Sequence, residues 1–155
     1  MDDVEVRRAT PAHLASLLGM LGEFYAEDGH EYDEGRIRAA LDPLLTDDAL
    51  GQVWVLQRRV DDLDSGLLGY AVLTWGWSLE SGGREGLLDE FFVVTGRRRG
   101  GLGGLLIERV IAEARTAGCR ALFLETERPN HKARAFYDRH GLEEQESIWM
   151  SAQLD

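Results

Sequence analysis

Residues 87–104 read LLDEFFVVTGRRRGGLGG and put several chemically useful groups in one run. Phe91, Phe92, Val93 and Val94 form an apolar stretch with the look of a buried strand. Arg97, Arg98 and Arg99 follow, then Gly100, Gly101, Gly103 and Gly104. Behind them Leu102, Leu105, Leu106, Val110, Ile111 and Ala114 recur at helical spacing. Strand, glycine loop and helix make an anion-binding arrangement. Glycine lets backbone N–H groups come close to a ligand, and the first helical turn offers amides without intrahelical partners at the positive end of the dipole. Guanidinium groups add cationic partners for phosphate oxygens. The stretch reads as a site for a phosphate-bearing ligand; its plainer reading is an arginine-rich surface turn before a glycine-rich helix start. A P-loop is excluded because no lysine is present in the run. A dinucleotide fingerprint is excluded because Leu106 stands where its third glycine belongs.

Composition narrows the partners. The chain has 155 residues, 44% hydrophobic, which suits one domain with a sizeable core. No apolar stretch is as long as a membrane span, and the acidic start MDDVEVRRAT lacks the apolar core of a signal peptide. The single cysteine, Cys119, allows no internal disulfide, in keeping with a cytoplasmic setting. A net charge of −11 argues against nucleic-acid binding and suits a cationic partner or simple solubility. His13, His30, His131 and His140 have no metal-ligand spacing, so no metal is expected.

The elements that must position the run follow from periodicity. Val4 to Arg8 alternates as a first strand. Thr10-Pro11 is a helix start, and Leu14, Leu17, Leu18, Leu21, Phe24 and Tyr25 mark one helix face that ends near Asp28-Gly29. The loop Glu27 to Glu34 is strongly acidic: a solvated loop, or a rim that attracts a cation. Asp33 caps a second helix bearing Ile37, Ala40, Leu41, Leu44 and Leu45. Gln52–Arg58, Leu67 to Trp75 or beyond, and Leu87–Val94 are strands with short links, hence an antiparallel meander, with turns at Asp61–Gly66 and Ser81–Gly83. The next helix runs to about Ala117 with Gly118 as its C-cap, and the strand Arg120–Thr126 should lie parallel to its predecessor. Asn130 caps a last helix that ends near His140-Gly141, and Glu143–Ala152 supplies a final strand or strands. The order is β-α-α-β-β-β-α-β-α-β, an α/β (α+β) chain with a mixed sheet.

Two motifs on these elements carry a family resemblance. Arg98-Arg99-Gly100-Gly101-Leu102-Gly103 reads R-x-x-G-x-G directly after an apolar strand, and resembles the acetyl-CoA pyrophosphate loop of the GNAT N-acetyltransferase superfamily. Asn130 to Gly141, NHKARAFYDRHG, is similar to that family's N-x-x-A-x-x-F/L-Y-x-x-x-G segment. The element order is also the family's. Asp89-Glu90-Phe91-Phe92-Val93 bears a weaker likeness to the corresponding strand of diamine (spermidine/spermine-type) acetyltransferases. Thr95, Arg99 and Leu142 depart from residues common in the family, which are proline, glycine and phenylalanine.

The resemblance implies a single domain with a central, mostly antiparallel twisted sheet splayed after its fourth strand. It implies acetyl-CoA as cosubstrate, a primary amine of a small cationic molecule or peptide as acceptor, and direct transfer in a ternary complex. It further implies that main-chain groups at Phe92, Val93 and Val94 pair with the pantetheine arm, and that amides from Arg98, Arg99, Gly100, Gly101, Leu102, Gly103 and Gly104 hold the pyrophosphate. Asn130 and Phe136 would complete the cofactor side. Tyr137 matches the residue that gives the leaving thiolate a proton. By the diamine-enzyme likeness Asp89 holds the general-base position, with Glu90 beside it; adjacent strand residues face opposite sides, so only one should meet the amine. The plain alternative for both is a polar strand end or an ion-pair partner. Trp75, Trp77 and Glu80 are candidates for the acceptor pocket or for packing. A homodimer is the expectation by analogy. The rival function is a non-catalytic acyl-CoA-binding sensor or scaffold, because both motifs predict CoA binding and neither predicts turnover.

Overall fold

In the computed structural model of the chain, residues 3–59, 66–94 and 101–155 are described. They fall into two compact units, Met1–Glu125 and Thr126–Asp155.

In the first unit, apolar strands alternate their side chains between two helical layers. Strands β1 (Val4–Arg8), β2 (Gly51–Arg58), β3 (Leu67–Ser78), β4 (Gly83–Val93) and β5 (Leu122–Leu124) form one sheet in that order. The first four pair antiparallel as the expected meander, and β4 pairs parallel with β5 after the helical crossover. The fold class is therefore the expected one: α/β with a mixed, mostly antiparallel sheet. The parallel ladder covers Gly86–Leu88 opposite Leu122–Leu124 and stops there. The turn expected at Asp61–Gly66 lies, apart from Gly66, outside the described residues.

Helices α1 (Leu14–Asp28) and α2 (Glu34–Thr46) cover one sheet face. Their Leu17, Leu18, Leu21, Leu41, Leu44 and Leu45 pack on Val53, Val55, Tyr70, Val72 and Phe92. Helix α3 (Leu102–Thr116) buries Leu106, Ile107 and Val110, and packs against β2, β3 and β4. Burial of such side chains stabilises by about 1.5–3 kcal/mol each relative to exposure. Caps set the helix ends. The Asp33 carboxylate accepts from the Arg36 N–H at 3.1 Å. Gly29 takes φ +71° to end α1, and the His30 N–H then returns to the Tyr25 carbonyl at 2.9 Å, which holds the acidic loop against the helix terminus. No described helix is long and apolar enough to cross a membrane.

The start of α1 departs from the simple Thr-Pro cap. A 3₁₀ turn, Pro11–His13, precedes it, and His13 is fully buried. The Thr10 backbone N–H donates to His13 Nδ1 at 3.0 Å, the role that Glu or Gln plays in a capping box. That fixes the tautomer: Nε2 carries the hydrogen and faces Gln57 Oε1 at 3.3 Å, and Gln57 Nε2 donates to Glu5 at 3.1 Å. His13→Ala would leave a cavity and unpaired buried polar groups. It is expected to cost about 2–3 kcal/mol, read as a lower denaturation midpoint with unchanged slope.

The second unit contains α4 (His131–Arg139), capped by the Asn130 side chain, which accepts from the Ala133 N–H at 3.2 Å. Arg134 binds Glu144 at 2.6 Å and the Arg128 carbonyl at 2.9 Å, closing the loop on either side of the helix. The strand expected at Glu143–Ala152 is not formed; no regular element follows α4. Ile148, Trp149 and Met150 are adjacent and exposed, so the segment lacks the alternation that would give a strand one buried face.

Candidate functional site

The site builds outward from a fault in β4. Val72 of β3 pairs with Glu90, but the next residue, Leu73, pairs with Leu88. Asp89 is the extra residue of a β-bulge. In a regular strand residues 88, 90 and 92 share a face. Here the bulge resets the phase. Leu88, opposite Leu73, looks toward α3, whereas Glu90 and Phe92, opposite Val72 and Tyr70, look toward α1 and α2.

Glu90 thereby meets two phenols. Tyr25, in the last turns of α1, donates to its Oε1 at 2.6 Å, and Tyr70 of β3 donates to its Oε2 at 3.0 Å. Burial pushes the Glu90 carboxyl above the usual carboxylate range, and the neighbouring Asp89 adds to this; the two phenol donors and His30 oppose it. Both phenols are pushed up as well, by burial and by the anion they face, so they stay protonated donors. Tyr70 is wholly enclosed. Phe24 packs between the two phenols and Phe92, 5.7 Å from Tyr25, 6.5 Å from Tyr70 and 5.2 Å from Phe92 between ring centroids. Tyr32 lies edge-on to Tyr25 at 5.8 Å and His30 at 6.2 Å, so the α1–α2 loop forms one wall. Asp89 is exposed, yet the surrounding protein still desolvates its carboxyl enough to raise it.

Past Glu90 the strand continues through Phe92, Val93 and the following Val94, whose N–H donates to the Leu68 carbonyl at 2.9 Å. Arg98, Arg99 and Gly100 lie outside the described residues, as do Thr95 and Arg97. Gly101 takes φ +77° and caps α3. The Leu105 N–H bonds to the Gly101 carbonyl at 3.2 Å, so the amides of Leu102, Gly103 and Gly104 form the first turn, which has no intrahelical carbonyl to bind. This terminus can accept the oxygens of an anionic group, and a phosphate ester fits it chemically. The side chain of Leu102 is buried, which pins the turn to the core.

The remaining expected residues belong to the second unit. Asn130 caps α4, Phe136 meets Tyr137 at 5.2 Å and His140 at 4.8 Å, and burial pushes the Tyr137 phenol up to about 12. Trp75 and Trp77 have other surroundings. Trp75 donates to the Asp48 carbonyl at 2.7 Å and lies under Arg84, while Trp77 is exposed.

Tyr25 and Tyr70 were invisible as site residues in the sequence, where both sit in apolar patterns. The available signal is chemical: a tyrosine inside a continuous apolar strand needs a partner for its hydroxyl.

Comparison with known proteins gives the family and the fold. Residues 16–142 match the model of the acetyltransferase (GNAT) family. A Bacillus subtilis (strain 168) protein, the uncharacterized N-acetyltransferase YhfO, is 36% identical over 77 residues, covering 50% of this chain and about half (52%) of that protein. The integron cassette protein HFX_CASS3, from the mobile metagenome of Cole Harbour Salt Marsh, superposes with a TM-score of 0.83 at 31% identity, over 97% of this chain and 90% of that one. The aminoglycoside N-acetyltransferase AAC(6')-Iy, solved in complex with CoA, shares the fold with a TM-score of 0.80 at 18% identity, over 97% of this chain and 94% of its own.

Proposed function

The chain belongs to the GNAT acetyltransferase family, and from that premise we propose that it moves an acetyl group from acetyl-CoA to a primary amine, with Glu90 taking the amine's proton. The observation that carries this reading is the Glu90 carboxyl: desolvated, raised toward neutrality, and on the strand that leads to the glycine-rich start of α3. An alkylammonium has an unperturbed pKa of about 10.4, so it must be deprotonated to attack. A carboxylate raised toward the working pH is a better base than one of ordinary pKa. The acidic loop Glu27–Glu34 and the net charge of −11 favour a cationic acceptor.

In the reaction the amine nitrogen bonds to the thioester carbonyl carbon, its proton passes to Glu90 directly or through water, and the carbon–sulfur bond breaks. The Leu102–Gly104 amides, with Arg98, Arg99 and Gly100, hold the pyrophosphate, and the Phe92–Val94 main chain aligns the pantetheine arm. Tyr137, assigned by its place in the segment Asn130–Gly141, offers its phenol hydrogen to the departing thiolate. With its pKa pushed up to about 12 it keeps that hydrogen at neutral pH. Binding both reactants contributes through proximity.

The test is thiol release from acetyl-CoA across a panel of polyamines, aminoglycosides and peptide amines. Turnover with at least one class is expected. CoA binding without release on any amine would overturn the reading. With the best amine, Tyr137→Phe is expected to lower kcat about 10- to 100-fold while CoA affinity measured by calorimetry stays within about twofold.

A further inference from the structure

We propose that Tyr25 and Tyr70 are positioning residues, a pair of phenols that fix the direction in which the Glu90 carboxylate meets an incoming amine. This rests on the reading of Glu90 as proton acceptor. Three separate elements converge on one carboxylate: α1 through Tyr25, β3 through Tyr70 and β4 through Glu90 itself. Each phenol takes a different oxygen, so the carboxylate can neither rotate nor swing away without breaking a charge-assisted bond. Tyr70 is fully buried in the aromatic cluster with Phe24 and Phe92, and cannot follow a moving partner. A buried phenol requires an acceptor, and Glu90 is the one present.

The clamp leaves the site open. A carboxylate has about four lone-pair positions, and two phenols occupy two of them. The remaining positions are held in a constant direction, which is what a positioned base requires. The same bonds favour the ionised form. Burial and the neighbouring Asp89 work against ionisation, while Tyr25, Tyr70 and His30 work for it. Tyr32 reaches this group through Tyr25, against whose ring it packs.

The sign of the effect follows. Removing one phenol hydroxyl deletes a donor to the anion, so Glu90 should titrate at higher pH. In the kcat–pH profile with the best amine, the acid limb of Tyr25→Phe is expected about one unit higher than wild type. On that limb kcat falls up to about tenfold further, and above it the rate levels off about three- to tenfold below the wild-type plateau because the carboxylate is no longer held in one direction, with KM for acetyl-CoA unchanged. Tyr70→Phe should move the limb in the same direction. A limb that stays in place, or a plateau equal to wild type, would overturn the proposal. Tyr70 is in the core, and if its variant fails to fold, Tyr25→Phe alone decides, since Tyr25 is half-buried at a helix end. Glu90→Gln separates this inference from the reading beneath it. Wild-type kcat in Glu90→Gln would remove Glu90 from the chemistry and the clamp with it. A collapse of kcat in Glu90→Gln beside an unmoved limb in Tyr25→Phe would retire the clamp alone.

Discussion

Glu90→Gln is expected to lower kcat by about 10²- to 10⁴-fold, the usual contribution of a general base, and to abolish the acid limb of the pH profile. CoA affinity should be unchanged, because the substitution leaves the strand and the α3 terminus in place. Stability should move the other way. A carboxyl whose pKa is higher in the folded than in the unfolded chain binds more protons when folded. Its favourable contribution is complete below the unfolded pKa and is lost as pH rises through the folded one. At neutral pH the charged Glu90 therefore opposes folding, and the neutral glutamine is expected to leave Tm at pH 7 equal or higher. Loss of activity together with loss of Tm would mean that Glu90 is a structural anchor. Asp89→Asn is the contrast: Asp89 is raised by desolvation alone and is exposed at the bulge, so the kcat loss should be smaller.

Gly69→Ala should be among the most damaging changes of a single methyl group. A Cβ at Gly69 would stand 2.6 Å from the Phe92 carbonyl oxygen and 3.3 Å from the Val93 Cα, both backbone atoms that cannot step aside. The strands must separate at the pair Gly69–Val93. The expected cost is about 3 kcal/mol or more by chemical denaturation. Because Phe92–Val94 is the proposed seat of the pantetheine arm, the folded fraction should also bind CoA more weakly. Gly118→Ala is the control. Gly118 has φ +86° but open space around it, so the cost should be about 1 kcal/mol of backbone strain, with no change in CoA binding. Equal losses at the two positions would show that the close approach at Gly69 is unimportant.

Much of the fold was legible because its signals are local. Val4–Arg8 is the strand that its alternation predicts, Asp33 and Asn130 cap the helices they precede, and Gly29 and Gly118 take the left-handed conformations expected of glycines after helices. The direction of β5 followed from its helical crossover. The alternation rule also said that Asp89 and Glu90 face apart, but it could not say which meets the helices. That choice depends on the bulge, and a bulge is a property of the pair β3–β4 with no mark on either strand alone. The partners of Glu90 were hidden for a related reason. Tyr25 and Tyr70 lie 65 and 20 residues away along the chain, and each passes as an ordinary apolar-face residue. The final strand expected at Glu143–Ala152 has no element in the structure. Ile148-Trp149-Met150 is apolar but does not alternate.

The extra residue in β4 has a wider meaning for how such a chain changes over generations. The acid is held toward α1 and α2 by its pairing with Val72 and its alternation with Phe92, and the extra residue is absorbed outside the ladder. Deleting Asp89, with every other letter kept, would make Leu88 and Glu90 neighbours still opposite Leu73 and Val72, so the carboxylate would stay with its two phenols. A three-nucleotide deletion at the bulge is thus expected to leave the crevice intact, an outcome that tables of tolerated substitutions do not contain.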